Sequence, residues 1–450
     1  MLYQRWCRTA RERPGALALR EGAGGRDWTF GELAAAGAGG GGGSEAMVCP
    51  QAGSAAFVVD VLRAWRTGRI VCPLEPGQSP PRMEEPLPAG IVHLKTTSGT
   101  GGQARRIAFT GAQLAADADN IVSTMGLRAD WPNVGVVSLA HSYGFSNLVL
   151  PLLLHGVPLI MADSALPESL RRVAWTQREI TLAAVPALWR AWLEAGVIPG
   201  NVRLAVSAAA PLPLALELAV FERCGLKIHN FYGSSECGGI AFDAGQTPRR
   251  DESCAGAPLR GVSCKVGETG CLEVHSAAVG QGGWPQPCAA LRPGVFETGD
   301  LAALTEGLVY LQGRVGDQIN VAGRKVSPET VERVLLGHPS VRECVVFGVP
   351  SGDAARGEWV AACVVLGPAG NGREIRAYLQ ARLPAWQVPR EWRFVEKLAP
   401  NPRGKLSRRA LRERFFPMPQ EPSASGLLEA GLRGADRSSG GDFYEMTRPD

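Results

Sequence analysis

No C-x-x-C pair and no His-rich tract occur among the eleven Cys and six His, which excludes the usual zinc frameworks. An odd, scattered set of Cys in a long chain points instead to reduced thiols in a cytoplasmic setting. No apolar run is long enough to span a bilayer. The most apolar stretch, Leu148 to Met161, is interrupted by Pro151, His155, Gly156 and Pro158 and reads as buried core. The opening MLYQRWCRTARERPG lacks the apolar centre of a signal peptide. A net charge of +4 is too small to imply a nucleic-acid partner. The one basic cluster, Arg403, Lys405, Arg408, Arg409, Arg412 and Arg414, reads by default as a solvated helix face. There is no internal repeat and no G-x-x-x-x-G-K-[ST] phosphate loop.

What is present is 450 residues of ordinary globular composition, 45% apolar and 20% charged, enough for two or more domains. The most informative stretch is Thr96 to Arg106, TTSGTGGQARR, directly after the apolar run Ile91 to Leu94. A strand entering such a segment reads as a phosphate loop. Glycines let the backbone approach a phosphate, and successive N–H groups form an anion nest. Thr97, Ser98 and Thr100 add hydroxyl donors, and Arg105 adds a fixed positive charge.

Along the chain, strand and helix signals alternate. Asp27 to Phe30 runs into a helix that ends in the glycine run Gly37 to Gly43. Helices are expected over Ala55–Trp65, Gly111–Met125, Leu166–Thr176 and Leu214–Arg223. Strands are expected over 70–74, 107–110, 134–139, 157–161, 180–185, 202–207 and 227–231. This βαβα order argues for an α/β fold with helix-covered, mostly parallel sheets, whose ligands sit beyond the C-terminal strand ends. The polar motifs TTSGTGG, HSYGF, SAAAP and YGSSE all fall there. From Gly256 short Gly-rich strands suggest a small β subdomain. We expect an N-terminal domain over 1–312, a small mobile α+β domain of order β-α-β-β-α-β over 313–416, and a disordered tail over 417–450. Ser327, Pro328 and Glu329 mark the start of the small domain's first helix.

Taken together the motifs resemble the adenylate-forming superfamily of acyl- and aryl-CoA synthetases, peptide-synthetase adenylation domains and luciferases. The resemblance covers about Trp28 to Leu411. It implies ATP-dependent activation of a carboxylic acid to an acyl-adenylate, release of pyrophosphate, and transfer to a thiol, often that of CoA. By resemblance, Thr97, Ser98, Gly99, Thr100, Gly101 and Gly102 hold the β- and γ-phosphates with Arg105. Here Gly101 replaces a usual Thr, Ala104 a usual Pro and Arg105 a usual Lys. Glu236 corresponds to a magnesium-linked glutamate in YGSSE, with Tyr232, Gly233, Ser234 and Ser235 beside it. Tyr232, with Ala209, Ala210 and Pro211 of the SAAAP turn, would line the adenine slot. Asp300 in ETGD and Arg314 in GRVGD correspond to the ribose-binding pair. Lys405 corresponds to the catalytic lysine, and His141 to a histidine at the substrate carboxylate. Gly316 occupies the pivot position, where Asp or Lys is usual. Ala322 and Gly323 belong to a loop that lines the pantetheine tunnel, with Lys325 close by. Tyr143, Phe145, Ser207 and the Gly238-Gly239 turn would form the acyl pocket.

The implied partners are ATP, Mg²⁺, a fatty, aryl or short-chain acid, and CoA. One alternative is an acyl-AMP ligase that loads a separate carrier protein. Another, allowed by Arg105, Gly101 and Gly316, is a catalytically weak nucleotide- or acyl-binding module.

Overall fold

Six strands lie side by side and parallel at the heart of a fourteen-stranded sheet: Ile228–Ser234, Val202–Ser207, Ile180–Ala184, Asn133–Gly135, Leu159–Met161 and Leu17–Glu21. The computed structural model describes residues 1–40, 45–82, 85–97, 105–175, 177–351, 357–367, 370–398 and 408–417. Outside them lie Ser98 to Gly102, Ala104, Lys405, residues 41–43 of the glycine run and residues 418–450 of the expected tail.

Strand Ile228–Ser234 is the seam of this sheet. On its far side the sheet continues antiparallel through Gly238–Phe242, Cys254–Pro258, Leu308–Arg314, Val295–Thr305, Cys271–Ser276 and Val262–Val266. The parallel arrangement read from the sequence therefore covers only one half. Parallel neighbours need a helical crossover, whereas the short turns after residue 234 return the chain antiparallel. A second, five-stranded sheet runs Met47–Val48, Ile70–Val71, Ile91–Thr96, Arg106–Thr110 and Gly282–Trp284.

Helix Gly111–Met125 packs between these sheets. Thr110 and Gln113 form a capping box, and Gly126 closes the helix at φ 66°. Its inward face buries Leu114, Ala118 and Ile121 against the aliphatic core. The N-terminal residues, expected only to lack a signal sequence, form helix Leu2–Glu12, which buries Leu2, Trp6 and Ala10. Strand Asn133–Gly135 is shorter than the apolar run 134–139 suggests. The chain leaves the sheet early and turns back, the His141 N–H donating to the Ser138 carbonyl at 3.3 Å.

The C-terminal portion is a small α+β domain. It comprises hairpin Ile319–Val321 and Arg324–Val326, helix Pro328–Leu336, strands Val341–Pro350 and Glu358–Leu366, helix Gly372–Gln380, strand Glu391–Phe394 and helix Arg408–Phe415. A second strand before the first helix and the final helix add to the expected β-α-β-β-α-β order. At the start of the first helix, Ser327 gives its hydroxyl proton to the Glu329 carboxylate at 2.9 Å instead of capping the backbone. Among the described residues no helix is long and apolar enough to cross a membrane, and all eleven Cys are free thiols.

Candidate active site

The ribose pair of the sequence reading is built into the antiparallel ladder. Asp300 and Arg314 are direct cross-strand partners. Arg314 Nε donates to Asp300 Oδ1 at 2.7 Å, and the Tyr232 hydroxyl donates to Asp300 Oδ2 at 2.5 Å. Burial, and then the Asp300 charge beside it, push the Tyr232 phenol well above its ordinary range, so it stays a proton donor. The Asp300 N–H donates to Thr298 Oγ1 at 3.1 Å, which fixes the backbone below the carboxylate. A carboxylate offers about four lone-pair sites, so two fixed donors leave acceptor capacity for a vicinal diol. Asp300→Ala removes that acceptor and strands the Tyr232 hydroxyl. We expect AMP affinity to fall about 10–100-fold, from the loss of hydrogen bonds to a charged group. Titration calorimetry with AMP checks this, and unchanged affinity would separate Asp300 from nucleotide binding.

The turn after Tyr232 is set by Ser234, whose Oγ accepts from the N–H groups of Glu236 at 3.2 Å and Cys237 at 3.3 Å. Gly280 N–H donates to the Glu236 carbonyl at 2.8 Å. The Ser235 hydroxyl meets that of Ser142 at 2.9 Å, which brings the YGSSE turn against HSYGF and thus beside His141. Among the described residues no hydrogen bond or ion pair engages the Glu236 carboxylate. A single uncommitted carboxylate suits Mg²⁺, which takes most of its ligands from water and phosphate. Among the described residues no group of three or more His, Cys, Asp or Glu is placed to hold a metal, so a protein-only metal cage is not what this site offers.

The SAAAP segment follows strand Val202–Ser207. Ala208 is buried, while Ala209, Ala210 and Pro211 are exposed at the strand end. Ala209 holds φ 69°, a left-handed conformation that is strained for a residue with a Cβ. The neighbouring Leu212 carbonyl is gripped by Arg249 Nη2 at 2.7 Å. Of the expected phosphate loop, the two ends are described. Thr97 N–H donates to the Arg105 carbonyl at 2.7 Å, closing the neck of the loop, and Arg105 itself is exposed.

Tyr143 and Phe145, both expected in the acyl pocket, belong to different hydrophobic clusters. Tyr143 packs on Phe231 at 6.2 Å between centroids, and its buried hydroxyl finds no partner among the described residues. Burial pushes that phenol above its ordinary range. Phe145 lies against the His93 ring at 4.3 Å, and the Ser207 hydroxyl is buried.

In the small domain, Ala322 at φ 49° and Gly323 at φ 82° form the two-residue turn of the hairpin, with Arg324 and Lys325 exposed after it. Gly316 sits in the turn Val315–Asp317, where an added Cβ would meet nothing within 4 Å. Packing therefore does not dictate the missing side chain. Arg408 departs from the reading of a solvated basic face. It is three-quarters buried and bonds to Asp317 at 2.7 Å, Glu329 at 2.9 Å and Glu332 at 2.7 Å.

Sequence reading passed over Lys95, Asp117 and Ser146, which form a buried polar cluster behind these loops. The available signal was a Lys inside the apolar strand Ile91–Thr96 and an Asp on the inward face of helix Gly111–Met125.

A family model for the AMP-binding enzyme matches residues 52–281, and one for the AMP-binding enzyme C-terminal domain matches residues 330–405. A probable 2-succinylbenzoate–CoA ligase of Mycobacterium tuberculosis is 30% identical over 354 residues, 74% of this chain and 87% of that protein. A fatty acid–[acyl-carrier-protein] ligase of Streptomyces coeruleorubidus is 34% identical over 263 residues, 52% of this chain and 50% of that protein. ATP-bound MatB from Rhodopseudomonas palustris shares the fold at a TM-score of 0.79 and 22% identity, over 92% of this chain and 99% of that one.

Proposed function

The chain belongs to the AMP-binding enzyme family of the adenylate-forming superfamily, and on that premise we propose that it joins a carboxylic acid to AMP and then passes the acyl group to the thiol of CoA. The Tyr232–Asp300–Arg314 constellation carries this reading. It offers a charged acceptor for a ribose at the rim of the sheet seam, beside a turn that presents one uncommitted carboxylate.

In the first step the substrate carboxylate attacks the α-phosphorus of ATP. A C–O–P link forms, and the bond to pyrophosphate breaks. Two anions must approach, so cations have to surround them. Arg105 at the loop neck and Lys405 supply positive charge from the two domains. His141, tied to the YGSSE turn through the Ser142–Ser235 contact, orients the incoming carboxylate. Mg²⁺ held through Glu236 would neutralise part of the phosphate charge. Ala209, Ala210 and Pro211 border the base, and Ser98 to Gly102 cradle the distal phosphates. In the second step the small domain (residues 313–416) turns about Gly316, and the Ala322-Gly323 tip lines the path of the pantetheine thiol. The free thiols fit a reducing, cytoplasmic setting.

A carrier-protein phosphopantetheine is the second acceptor reading, favoured by the carrier-protein ligase among the relatives. The test is pyrophosphate release with ATP and Mg²⁺ across fatty, aryl and short-chain acids, with CoA, with a phosphopantetheinylated carrier, and with neither. We expect release with one acid class, and a thioester once CoA is added. Thioester only with the carrier would move the acceptor to that protein. Silence across the panel, with ATP still bound, would leave a binding module.

A further inference from the structure

Three of the segments assigned to the site share a buried anchor as well as their loops. Behind them they converge on one buried carboxylate, that of Asp117. Its Oδ2 accepts from Lys95 Nζ at 3.1 Å and from the Ser146 hydroxyl at 2.6 Å, and its Oδ1 accepts from the Gly239 N–H at 3.1 Å. Lys95 Nζ also donates to Ser146 Oγ at 2.9 Å and lies 4.6 Å from the centre of the Phe109 ring. Both charged side chains are almost wholly buried, at 2% and 1% exposure.

Each arm of this cluster leads to a different part of the chemistry. Lys95 is two residues before Thr97, on the strand that feeds the phosphate loop. Ser146 is five residues after His141. Gly239 is three residues after Glu236. Asp117 stands on the helix between them, whose capping box fixes it in register. Gly238 shows how tightly the turn is held: its φ is +73°, and a Cβ there would lie 2.0 Å from Asp117 Oδ1. Next to the cluster, burial and the Lys95 charge keep the His93 imidazole neutral, so it adds no competing cation.

A buried ion pair is a poor source of stability, because desolvation offsets most of its attraction. What such a pair does supply is geometry, since a dry charge-assisted network tolerates little displacement. The geometry points to Lys95 and Asp117 as positioning residues for acid activation: together with Ser146 they fix strand Ile91–Thr96, the His141 segment and the Glu236 turn relative to one another. The kinetic part of this inference rests on the adenylation reading, whereas the positioning itself does not.

The test replaces the pair by apolar side chains of similar size, Lys95→Met with Asp117→Leu. We expect thermal melting close to that of the wild type. We also expect adenylate formation slowed by about tenfold or more, with a smaller change in KM for ATP, because a displacement of about 1 Å is enough to cost that much. Amide exchange of residues 232–239 should speed up. Lys95→Gln with Asp117→Asn keeps the donors and acceptors and should recover most of the lost turnover and protection. Should the apolar pair fail to fold, Ser146→Ala leaves the ion pair in place and is expected to slow turnover without moving the melt. A variant that melts, turns over and exchanges at residues 232–239 like the wild type overturns the inference. A wild type that releases no pyrophosphate with any acid counts against the adenylation reading, and the exchange of residues 232–239 then decides the positioning by itself.

Discussion

Replacing Lys405 by Ala is expected to slow adenylate formation by about 10²–10³-fold, the scale on which one preorganised charge contributes to a transition state. ATP should still bind nearly as well. The carboxylate oxygen and the α-phosphate oxygens repel as they close, and this repulsion peaks in the transition state. An ammonium placed there lowers the barrier more than it tightens the ground state. Lys405 itself lies outside the described residues, but the chain three residues on is firmly held. Arg408 is engaged by Asp317, Glu329 and Glu332, and its Nε donates to the Val346 carbonyl at 3.1 Å. The measurement is single-turnover adenylate formation with the preferred acid, alongside ATP titration. Turnover within about tenfold of the wild type would remove Lys405 from the transition state. A parallel loss of ATP affinity would assign it to ground-state binding.

The second large effect concerns stability. Glu217, on helix Leu214–Cys224, is fully buried between two cations. Lys227 Nζ bonds to it and to Asp243, the latter at 2.5 Å. Arg249 Nε donates to Glu217 Oε2 at 2.8 Å, and its remaining donors reach the carbonyls of Leu212, Glu252 and Cys254. Glu217→Ala leaves Lys227 with Asp243 as its one anionic partner beside the Ile228 carbonyl, and Arg249 with only neutral acceptors. Removing one member of a buried ionic network costs about 3–5 kcal/mol. We expect the urea midpoint of the large domain to fall accordingly, with its slope unchanged. A loss below about 1 kcal/mol, the scale of a solvated ion pair, would show that water reaches the cluster. Because Arg249 also grips the Leu212 carbonyl beside Ala209 to Pro211, the variant should bind AMP more weakly under conditions where it is still folded.

These two effects differ in how far the sequence discloses them. The role proposed for Lys405 comes from the sequence, because Gly404 and Lys405 follow two prolines near the end of a matching series of motifs. Glu217, Lys227, Asp243 and Arg249 carry no local pattern. They are spread over 33 positions and meet only because strands Ile228–Ser234 and Gly238–Phe242 pair. The same contrast holds for the fold. Helix Gly111–Met125 was readable to the residue, since Thr110, Gln113 and Gly126 mark both ends. Strand Val202–Ser207 was readable because its apolar run stops at a small-residue turn. Helix Leu2–Glu12 was missed although Leu2, Tyr3, Trp6, Cys7 and Ala10 recur at helical spacing, because the segment was read only for a signal sequence. Its burial depends on helix Leu150–His155, against which Arg5 and Thr9 bond to the Leu154 carbonyl. Asp300 and Arg314 were named as a pair from their motifs, and the ladder explains why they can be one: they face each other across two strands. Lys95 and Asp117 were hidden by the opposite circumstance, since each looks like an ordinary residue until the helix is laid on the strand.

The way the sheets are threaded also constrains how the chain can be made. Strand Leu17–Glu21 has its parallel neighbour in Leu159–Met161, and strand Arg106–Thr110 has its outer neighbour in Gly282–Trp284. During synthesis at about 5–20 residues per second, the early strands therefore wait on the order of ten seconds for partners not yet translated. Over that interval Ile107 and Phe109, buried in the finished protein, belong to a strand with an open edge, the kind of surface that recruits other chains. A ribosome stalled before codon 282 would leave the outer edge of strand Arg106–Thr110 unpaired, and pairing by the short strand Gly282–Trp284 is what seals it.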